Sequence, residues 1–249
     1  MHALLPPLTD GDPLELYTAA ERRSPSGRPW VVVNMVCTAD GATADPNGRS
    51  AGLGGPADRE AFHTLRSLAD VIVAGSSTVR AENYGPAVIA EARQEERRAR
   101  GQAPVPRIAV VSRSLRLDPA MRLFTSGGPR PLVLTSATSD PEARERLAEV
   151  ADVVVAGEDQ VDWPRALAEL GRRANAGVVL VEGGPVVNGQ LVGGLIDELC
   201  LTIAPLLAGG DASRVAHGDP PAEMARMRLA HVIEDDGHLL LRYVAATDG

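Results

Sequence analysis

The chain has 249 residues, a formal net charge of −8 and an apolar content of 44%, so it is long enough for one large α/β domain or two small ones with a substantial core. The negative charge and an aromatic content of 3% argue against nucleic-acid binding, which needs basic surface and rings for base stacking. No signal peptide is recognisable and no apolar stretch approaches the roughly 20 residues that span a bilayer, so we expect a cytoplasmic protein without a membrane partner.

Residues 1–28 are predicted to form an N-terminal extension with a short helix, for which Asp12 to Arg23 is the candidate. The segment "SPSGRP" at 24–29 contains two prolines and a glycine and ends this helix. Residues 29–249 are predicted to form one domain.

Apolar runs rich in Val and Ile predict the strands of this domain. They lie at 30–37, 70–75, 107–112, 131–136, 152–157, 177–182 and 197–205. Two more strands, "RLAHVIE" and "HLLLRYV", flank the turn "EDDG" and predict a C-terminal antiparallel hairpin with an apolar edge.

Helical periodicity separates most of these strands. The candidate helices are 57–69, 86–100, 141–149, 163–174 and 185–193. The alternation predicts an α/β fold of three layers, with helices on both faces of a mixed, mostly parallel sheet. The charged run "EARQEERRARG" at 91–101 is interpreted as a solvated helix face.

Two glycine-rich turns follow predicted strands. Gly75 precedes a helix opened by Ser76, Ser77 and Thr78, and Gly183-Gly184 precede Pro185. Such turns lie where ligands bind in α/β sheets, although glycine also marks ordinary turns. A dinucleotide pyrophosphate would use both. No G-x-G-x-x-G follows a strand and no P-loop occurs, so the cofactor fold must be another one.

Three segments carry a family resemblance: "NMVCTADGAT" (34–43), "GRSAGLGGPADREAFHTLRSLADVIVAGSSTVRAENY" (48–84) and "VEGGPVVNGQLVGGLIDEL" (181–199). They resemble the reductase domain of riboflavin biosynthesis, whose fold is similar to that of dihydrofolate reductase. The resemblance implies that residues 29–249 are an NADPH-dependent reductase domain. It further implies a homodimer and a ribosylaminopyrimidine 5′-phosphate as substrate, whose ribosyl group is reduced to ribityl.

The resemblance also implies site residues. Glu182 and Asp40 are the catalytic candidates, and Glu182 would also hydrogen-bond the pyrimidine. The substrate-binding candidates are Asn34, Ser50, Arg66 and Glu182. The cofactor-binding candidates are Val36, Gly75, Thr78, Glu82, Ser112, Arg113, Gly183, Gly184, Pro185, Val186, Val187 and Asn188. An arginine at position 113 suits a 2′-phosphate and favours NADPH over NADH.

Each leading candidate has a simpler interpretation. Glu182 could cap the turn that follows its strand, and Asp40 could belong to an ordinary Asp-Gly turn. Arg66 shares a helix face with Arg59 and His63, which could be an anion clamp or a solvated basic stripe.

The sequence departs from the family at several points. The H-x-E and P-C-x-x-C elements of the accompanying deaminase are absent, and neither the histidines nor the two cysteines have metal-ligand spacing, so no metal is predicted. Asn34 stands where the family commonly has lysine, and Gly52 where tryptophan is frequent. The alternatives are therefore a paralogous dihydrofolate- or pterin-type reductase with another substrate, and a non-catalytic NADPH-binding module.

Overall fold

A computed structural model describes residues 1–8, 10–23, 27–50 and 52–246. The predicted linker at 24–29 begins with residues 24–26, which lie outside the described residues. The chain divides into two compact units. The first unit comprises Met1–Arg22, Trp30–Leu65 and Pro185–Gly249, and the second comprises Arg23–Pro29 and Arg66–Gly184.

The strands and helices of the described residues are numbered in chain order. The strands are β1 (His2–Leu5), β2 (Trp30–Thr38), β3 (Val71–Gly75), β4 (Arg107–Val111), β5 (Leu132–Thr135), β6 (Asp152–Val155), β7 (Val178–Val181), β8 (Glu198–Ala204), β9 (Met227–Asp235) and β10 (His238–Ala245). The helices are α1 (Glu15–Thr18), α2 (Pro56–Leu68), α3 (Ser76–Ala81), α4 (Glu91–Ala99), α5 (Arg122–Thr125), α6 (Pro141–Ala148), α7 (Trp163–Ala174) and α8 (Pro185–Leu191). None of the helices in the described part of the chain is long and apolar enough to cross a membrane.

The strands of the first unit lie in the order β1-β9-β10-β8-β2. Only β2 and β8 are parallel, and the other neighbours are antiparallel. Asp236 and Gly237 have positive φ values of 47° and 78° in the turn between β9 and β10, which confirms the predicted hairpin. The hairpin does not offer a free edge, however, because β1 pairs with β9 and β8 pairs with β10. The hairpin edge therefore gives no support for a homodimer, which stays a prediction from the family resemblance.

The strands of the second unit lie in the order β7-β3-β4-β5-β6, and all of these pairs are parallel. Every residue of β3 and of β5 is buried, as expected for parallel strands that are covered on both faces. The carboxyl ends of these strands meet at one edge of the sheet, and β3 and β7 end there at Gly75 and Val181. Both glycine-rich turns therefore begin at the same edge.

The predicted fold class is confirmed: strands alternate with helices, the sheet is mixed and mostly parallel, and the chain closes with antiparallel strands. Each predicted strand is present. The N-terminal helix, Glu15–Thr18, is shorter than the candidate 12–23, and beyond it Arg22 Nη1 donates back to the carbonyls of Tyr17 (2.9 Å) and Ala20 (3.3 Å). The sequence analysis did not predict β1.

The charged run of α4 is not simply a solvated face. Arg97 has no exposed surface, and its Nη1 donates to the carbonyls of Ser67 (2.9 Å) and Ala69 (2.6 Å). Gln102 Nε2 donates to the carbonyl of Leu68 (3.0 Å). Cationic donors stabilise the carboxyl end of a helix, so this segment fixes the end of α2 beside Arg66. Burial lowers the pKa of Arg97 to about 10.

Candidate active site

Glu182 is the first residue after β7, in the second unit. Its backbone N–H donates to the carbonyl of Val73 on β3 (3.0 Å), which continues the parallel ladder by one residue. Its side chain is 1% exposed. A carboxylate this well covered needs partners that replace water.

Arg66, near the end of α2, is the main partner of this carboxylate. Its Nε donates to Oε1 of Glu182 (2.6 Å) and its Nη2 to Oε2 (2.5 Å), a two-pronged ion pair. Tyr84 completes the group: its hydroxyl donates to Oε2 of Glu182 (3.1 Å), and the Arg66 guanidinium lies 5.8 Å from the centre of the tyrosine ring. These three side chains are called the Glu182 cluster below.

The Glu182 cluster decides between the alternatives left open by the sequence. The Glu182 carboxylate binds side chains from α2 and from the segment after α3, so capping the following turn is not its role. Arg66 pairs with this carboxylate, whereas Arg59 and His63 are exposed, and an anion clamp made of these residues stays a prediction. Burial lowers the pKa of Arg66, but the Glu182 carboxylate outweighs it and raises that pKa overall.

Hydrogen-bond counting shows what the Glu182 cluster can still accept. A carboxylate offers about four lone-pair sites, two on each oxygen. Within the described residues, Oε2 of Glu182 accepts from Arg66 and Tyr84, and Oε1 accepts from Arg66 alone. Three of these sites are therefore filled by protein donors, and with the side chain 1% exposed a ligand would reach the fourth, on Oε1, only if a neighbouring side chain moved.

The two glycine-rich turns touch each other. The N–H of Gly75 donates to the carbonyl of Gly183 (3.0 Å), and a Cβ added at Gly183 would lie 3.4 Å from Cγ2 of Thr78. Gly183 and Gly184 have φ values of 135° and 84°. Such values favour glycine whether or not a ligand binds, so any larger residue at either position would strain the backbone. The contact between the turns agrees with one ligand that uses both.

Asp40 lies in the first unit, after β2. Its carboxylate accepts from the hydroxyl of Thr38 and from the backbone N–H groups of Ala208 (3.1 and 3.2 Å) and Gly209 (2.7 Å). These hydrogen bonds, the one from Thr38 foremost, lower the pKa of Asp40 to about 2. The carboxylate lines a cavity of about 510 Å³ together with Gly210 and Arg214. It holds the loop after β8, and its low pKa makes it a poor proton donor near neutral pH.

The other candidate residues of the second unit differ in how far they are buried. Ser112 is buried, and its hydroxyl accepts the N–H of Leu115 (3.1 Å), which ties up the turn after β4. Arg113 is exposed, as a residue that meets a cofactor phosphate could be. Thr78 and Glu82 are half-buried at the start and end of α3.

The other candidates lie in the first unit. Asn34 and Val36 are half-buried on β2, paired in register with Cys200 and Thr202 of β8. Ser50 is half-buried in the loop before α2. Pro185, Val186, Val187 and Asn188 form the first turn of α8.

Within α8, Val186 is exposed and Val187 is buried. Asn188 is 1% exposed, and its Nδ2 donates to the carbonyl of Val215 (2.7 Å). Asn188 therefore anchors the segment around residue 215. Whether it also reaches a cofactor stays a prediction, as do the roles of the other candidates.

Sequence reasoning missed Tyr84. The glycine and hydroxyl residues of the stretch "GSSTVRAENYG" predict a ligand-binding turn, but nothing in the local pattern singles out its tyrosine. The place of Tyr84 in the fold could have drawn attention to it. Tyr84 follows the short helix that begins at the carboxyl end of β3, the edge at which Glu182 also lies.

Known proteins resemble this chain over most of its length. Residues 29–241 match the RibD C-terminal domain family. The 2,5-diamino-6-ribosylamino-4(3H)-pyrimidinone 5′-phosphate reductase of Methanothermobacter thermautotrophicus is 34% identical over 202 residues, which cover 80% of this chain and 88% of that protein. The riboflavin biosynthesis protein RibD of Bacillus amyloliquefaciens is 29% identical over 189 residues, 74% of this chain but 48% of the longer protein.

A solved structure supports the same relationship. A pyrimidine reductase-like protein from Corynebacterium diphtheriae superposes with a TM-score of 0.79 at 28% identity, covering 88% of this chain and 93% of that one. The similarity therefore extends across both compact units rather than being confined to the motifs.

Proposed function

Because the chain belongs to the RibD C-terminal domain family, a family of riboflavin-pathway reductases, we propose that it is an NADPH-dependent pyrimidine reductase. Its substrate would be 5-amino-6-(5-phosphoribosylamino)uracil or the diamino analogue, and the reaction converts the ribosyl group to ribityl. The observation that carries the proposal is the Glu182 cluster, which brings the two predicted substrate residues Arg66 and Glu182 together next to the turn at Gly183.

The Glu182 cluster suits a pyrimidine better than a bare phosphate. A carboxylate oxygen is an acceptor, so Glu182 would bind a ring N–H or an amino group of the heterocycle. An anion would instead meet a carboxylate whose cationic partner is already engaged. The substrate phosphate is therefore proposed to bind elsewhere. Arg66 would hold the carboxylate in place while the heterocycle docks.

A nicotinamide cofactor fits a reductase of this family, and it would supply the hydride. The residues proposed to hold it in the second unit are Gly75, Thr78, Gly183 and Gly184, whose two turns contact each other. Arg113 is proposed to meet the 2′-phosphate of NADPH, since its side chain is exposed. The contacts assigned to Val36, Glu82, Ser112 and Pro185–Asn188 are further predictions.

Turnover tests this proposal directly. The protein, NADPH and each candidate pyrimidine ribosyl phosphate are incubated, NADPH oxidation is followed at its absorbance band, and the product is identified by mass. We expect a ribityl product that is two hydrogens heavier than the substrate. Oxidation with dihydrofolate alone would support the paralogous reductase, and tight NADPH binding without oxidation by any pyrimidine or pterin would support a binding module.

The homodimer is a separate proposal that rests on the family resemblance. Light scattering at micromolar concentration should return twice the chain mass of 26.1 kDa. A mass equal to one chain would contradict it.

A further inference from the structure

Three exposed arginines of the second unit lie at the edge of the sheet where β3 and β4 end. Arg80 is in the last turn of α3, which follows β3, and Arg113 and Arg116 are in the turn that follows β4. Gly75 and Val111, the last residues of these two strands, are paired in register, so the two segments start side by side. The three arginines are called the basic patch below.

A hydrogen bond joins the two segments. Nη1 of Arg80 donates to the backbone carbonyl of Arg116 (3.1 Å). A guanidinium has five N–H donors, and this contact uses one of them. It also restricts a long side chain that would otherwise lose much of its rotamer freedom on binding a ligand. Arg80 is therefore held against the turn after β4 before any ligand binds.

The turn after β4 is shaped so that its two arginines face solvent. Leu115 is 0% exposed and has a φ of 50°, and its N–H donates to the hydroxyl of Ser112 (3.1 Å). Leu117 is buried as well. With both leucines packed inward, the side chains of Arg113 and Arg116 remain exposed. Local packing thus determines where these two arginines lie.

The charge of the basic patch is not balanced by the protein. In the part of the chain that the structure describes, no aspartate or glutamate forms an ion pair with any of its three guanidinium groups. By contrast, Arg172 and Arg173 both pair with Glu169 (2.7 and 2.6 Å). The chain contains 33 acidic and 25 basic residues, so a concentration of positive charge stands out against the overall negative charge and suits an anionic ligand.

A terminal phosphate monoester fits this charge better than a carboxylate does. It carries a charge of about −1.5 to −2 at pH 7 and three acceptor oxygens, so more than one arginine can bind it, whereas one arginine fork satisfies a carboxylate. The proposed reaction contains two such groups, the 2′-phosphate of NADPH and the 5′-phosphate of the substrate. The first belongs to the ligand that we assign to the turns at Gly75 and Gly183, which begin at this same edge of the sheet.

We propose that Arg80 is a specificity-determining residue for the cofactor, which binds the 2′-phosphate of NADPH together with Arg113 and is oriented by the carbonyl of Arg116. This inference rests on the proposed function and adds to it a contact from a second element of the fold. NADH lacks the 2′-phosphate, so the basic patch would determine the choice between the two cofactors.

The experiment uses two fragments of the cofactor, adenosine 2′,5′-bisphosphate and adenosine 5′-phosphate, which are titrated into the intact chain by calorimetry. Arg80→Ala should weaken binding of the bisphosphate at least about tenfold, the effect of losing a hydrogen bond to a charged group, and change binding of the monophosphate less than about twofold. The variant should fold, because Arg80 is exposed and alanine favours helices. Arg146→Ala removes an exposed arginine from the last turn of α6, outside the basic patch, and should resemble wild type.

A double variant tests whether the two arginines hold the same phosphate. Arg80→Ala combined with Arg113→Ala should bind the bisphosphate and the monophosphate equally, because neither guanidinium remains. A preference for the bisphosphate that persists in the double variant would overturn the inference and place the phosphate on other residues.

Further outcomes separate this inference from the proposed function. Unchanged bisphosphate affinity in Arg80→Ala would overturn the inference, and so would an equal loss in Arg146→Ala, which would show an effect of net charge alone. If Arg80→Ala instead abolished binding of ribose 5-phosphate and spared the bisphosphate, the basic patch would belong to the substrate phosphate. If the wild type itself bound both adenosine phosphates equally, the NADPH dependence in the proposed function would fail, whereas a wild-type preference that survives Arg80→Ala removes this inference alone.

Discussion

Two buried glutamates, one in each unit, have almost the same exposure but different surroundings. Glu182 in the second unit has a side chain that is 1% exposed and receives three donor atoms, from Arg66 and Tyr84. Glu198 in the first unit is 0% exposed and receives five, from Arg22, Trp30, Cys200 and Arg242. The comparison teaches that burial alone does not separate a proposed site from a structural ion pair, and that the two glutamates differ in how many donors surround them.

The two glutamates also differ in the number of arginines with which they pair. Glu182 pairs with one arginine, whereas Glu198 pairs with two, both within 2.8 Å of Oε1. Burial raises the pKa of Glu198, but the hydrogen bonds and charges of Arg242 and Arg22 outweigh it and lower that pKa to about 2. The Glu198 group joins the N-terminal segment to β8 and β10 and has no capacity left for a ligand.

The largest effect should come from Glu198→Gln. This change keeps the shape of the side chain but leaves two guanidinium groups with side chains 5% and 11% exposed and no counter-charge. Breaking a buried ion pair by removing one partner costs about 3–5 kcal/mol. The free energy of unfolding, measured in urea, should fall by this amount, and turnover per folded molecule should be retained. If Glu198→Gln instead lowered kcat/KM as much as Glu182→Gln does, the two glutamates would have equivalent roles.

Glu182→Gln should instead lower activity more than stability. It removes the charge that we propose to bind the substrate, so kcat/KM should fall roughly ten- to a hundredfold, or about 1.5–3 kcal/mol. NADPH affinity should change little, because the proposed cofactor turns do not use this carboxylate. Steady-state kinetics and NADPH titration measure both quantities. A variant with full activity and a lowered unfolding midpoint would assign Glu182 to structure alone.

Low pH should reduce the free energy of unfolding through the first unit, because this unit also contains the buried His231. Burial lowers the pKa of His231 to about 4 from the ordinary 6.5. The unfolded chain binds this proton at higher pH than the folded one, so the free energy of unfolding should fall as pH decreases from about 6.5 to about 4.

Glu198 adds a second, lower window. Its pKa is depressed to about 2 from 4.5, so its stabilisation is complete above pH 4.5 and is lost as pH falls towards 2. Urea unfolding at a series of pH values measures both windows. His231→Gln should remove the upper window and keep the lower one, and an unchanged upper window in that variant would contradict the assignment.

The smallest effect concerns cofactor choice. NADPH should bind at least about tenfold more tightly than NADH, which is about 1.4 kcal/mol, if Arg113 meets the 2′-phosphate. Titration calorimetry with both cofactors measures the preference, and Arg113→Ala should abolish it. A preference that survives Arg113→Ala would place the phosphate contact on another residue.

The sequence by itself determined the elements and the positions of the candidate residues along them. The runs around Val71–Gly75 and Val178–Val181 consist of apolar residues bounded by glycine, and the turn at Asp236 and Gly237 has a composition typical of a hairpin. These signals are local, since burial on both faces of a strand and left-handed turns each restrict the residue type at their own position. Glu182 could therefore be placed at the end of a strand without any structure.

Only the tertiary structure decided which side chains meet. Arg66 and Tyr84 lie 116 and 98 residues from Glu182 along the chain, and Arg22 lies 176 residues from Glu198. The spacing of Arg59, His63 and Arg66 suggested a shared face, but within the described residues the buried carboxylate partner belongs to Arg66. β1 was missed because its partner, β9, is more than 200 residues away. Periodicity reports the face of an element that is buried, whereas the partner of a charged group depends on which strands the fold places side by side.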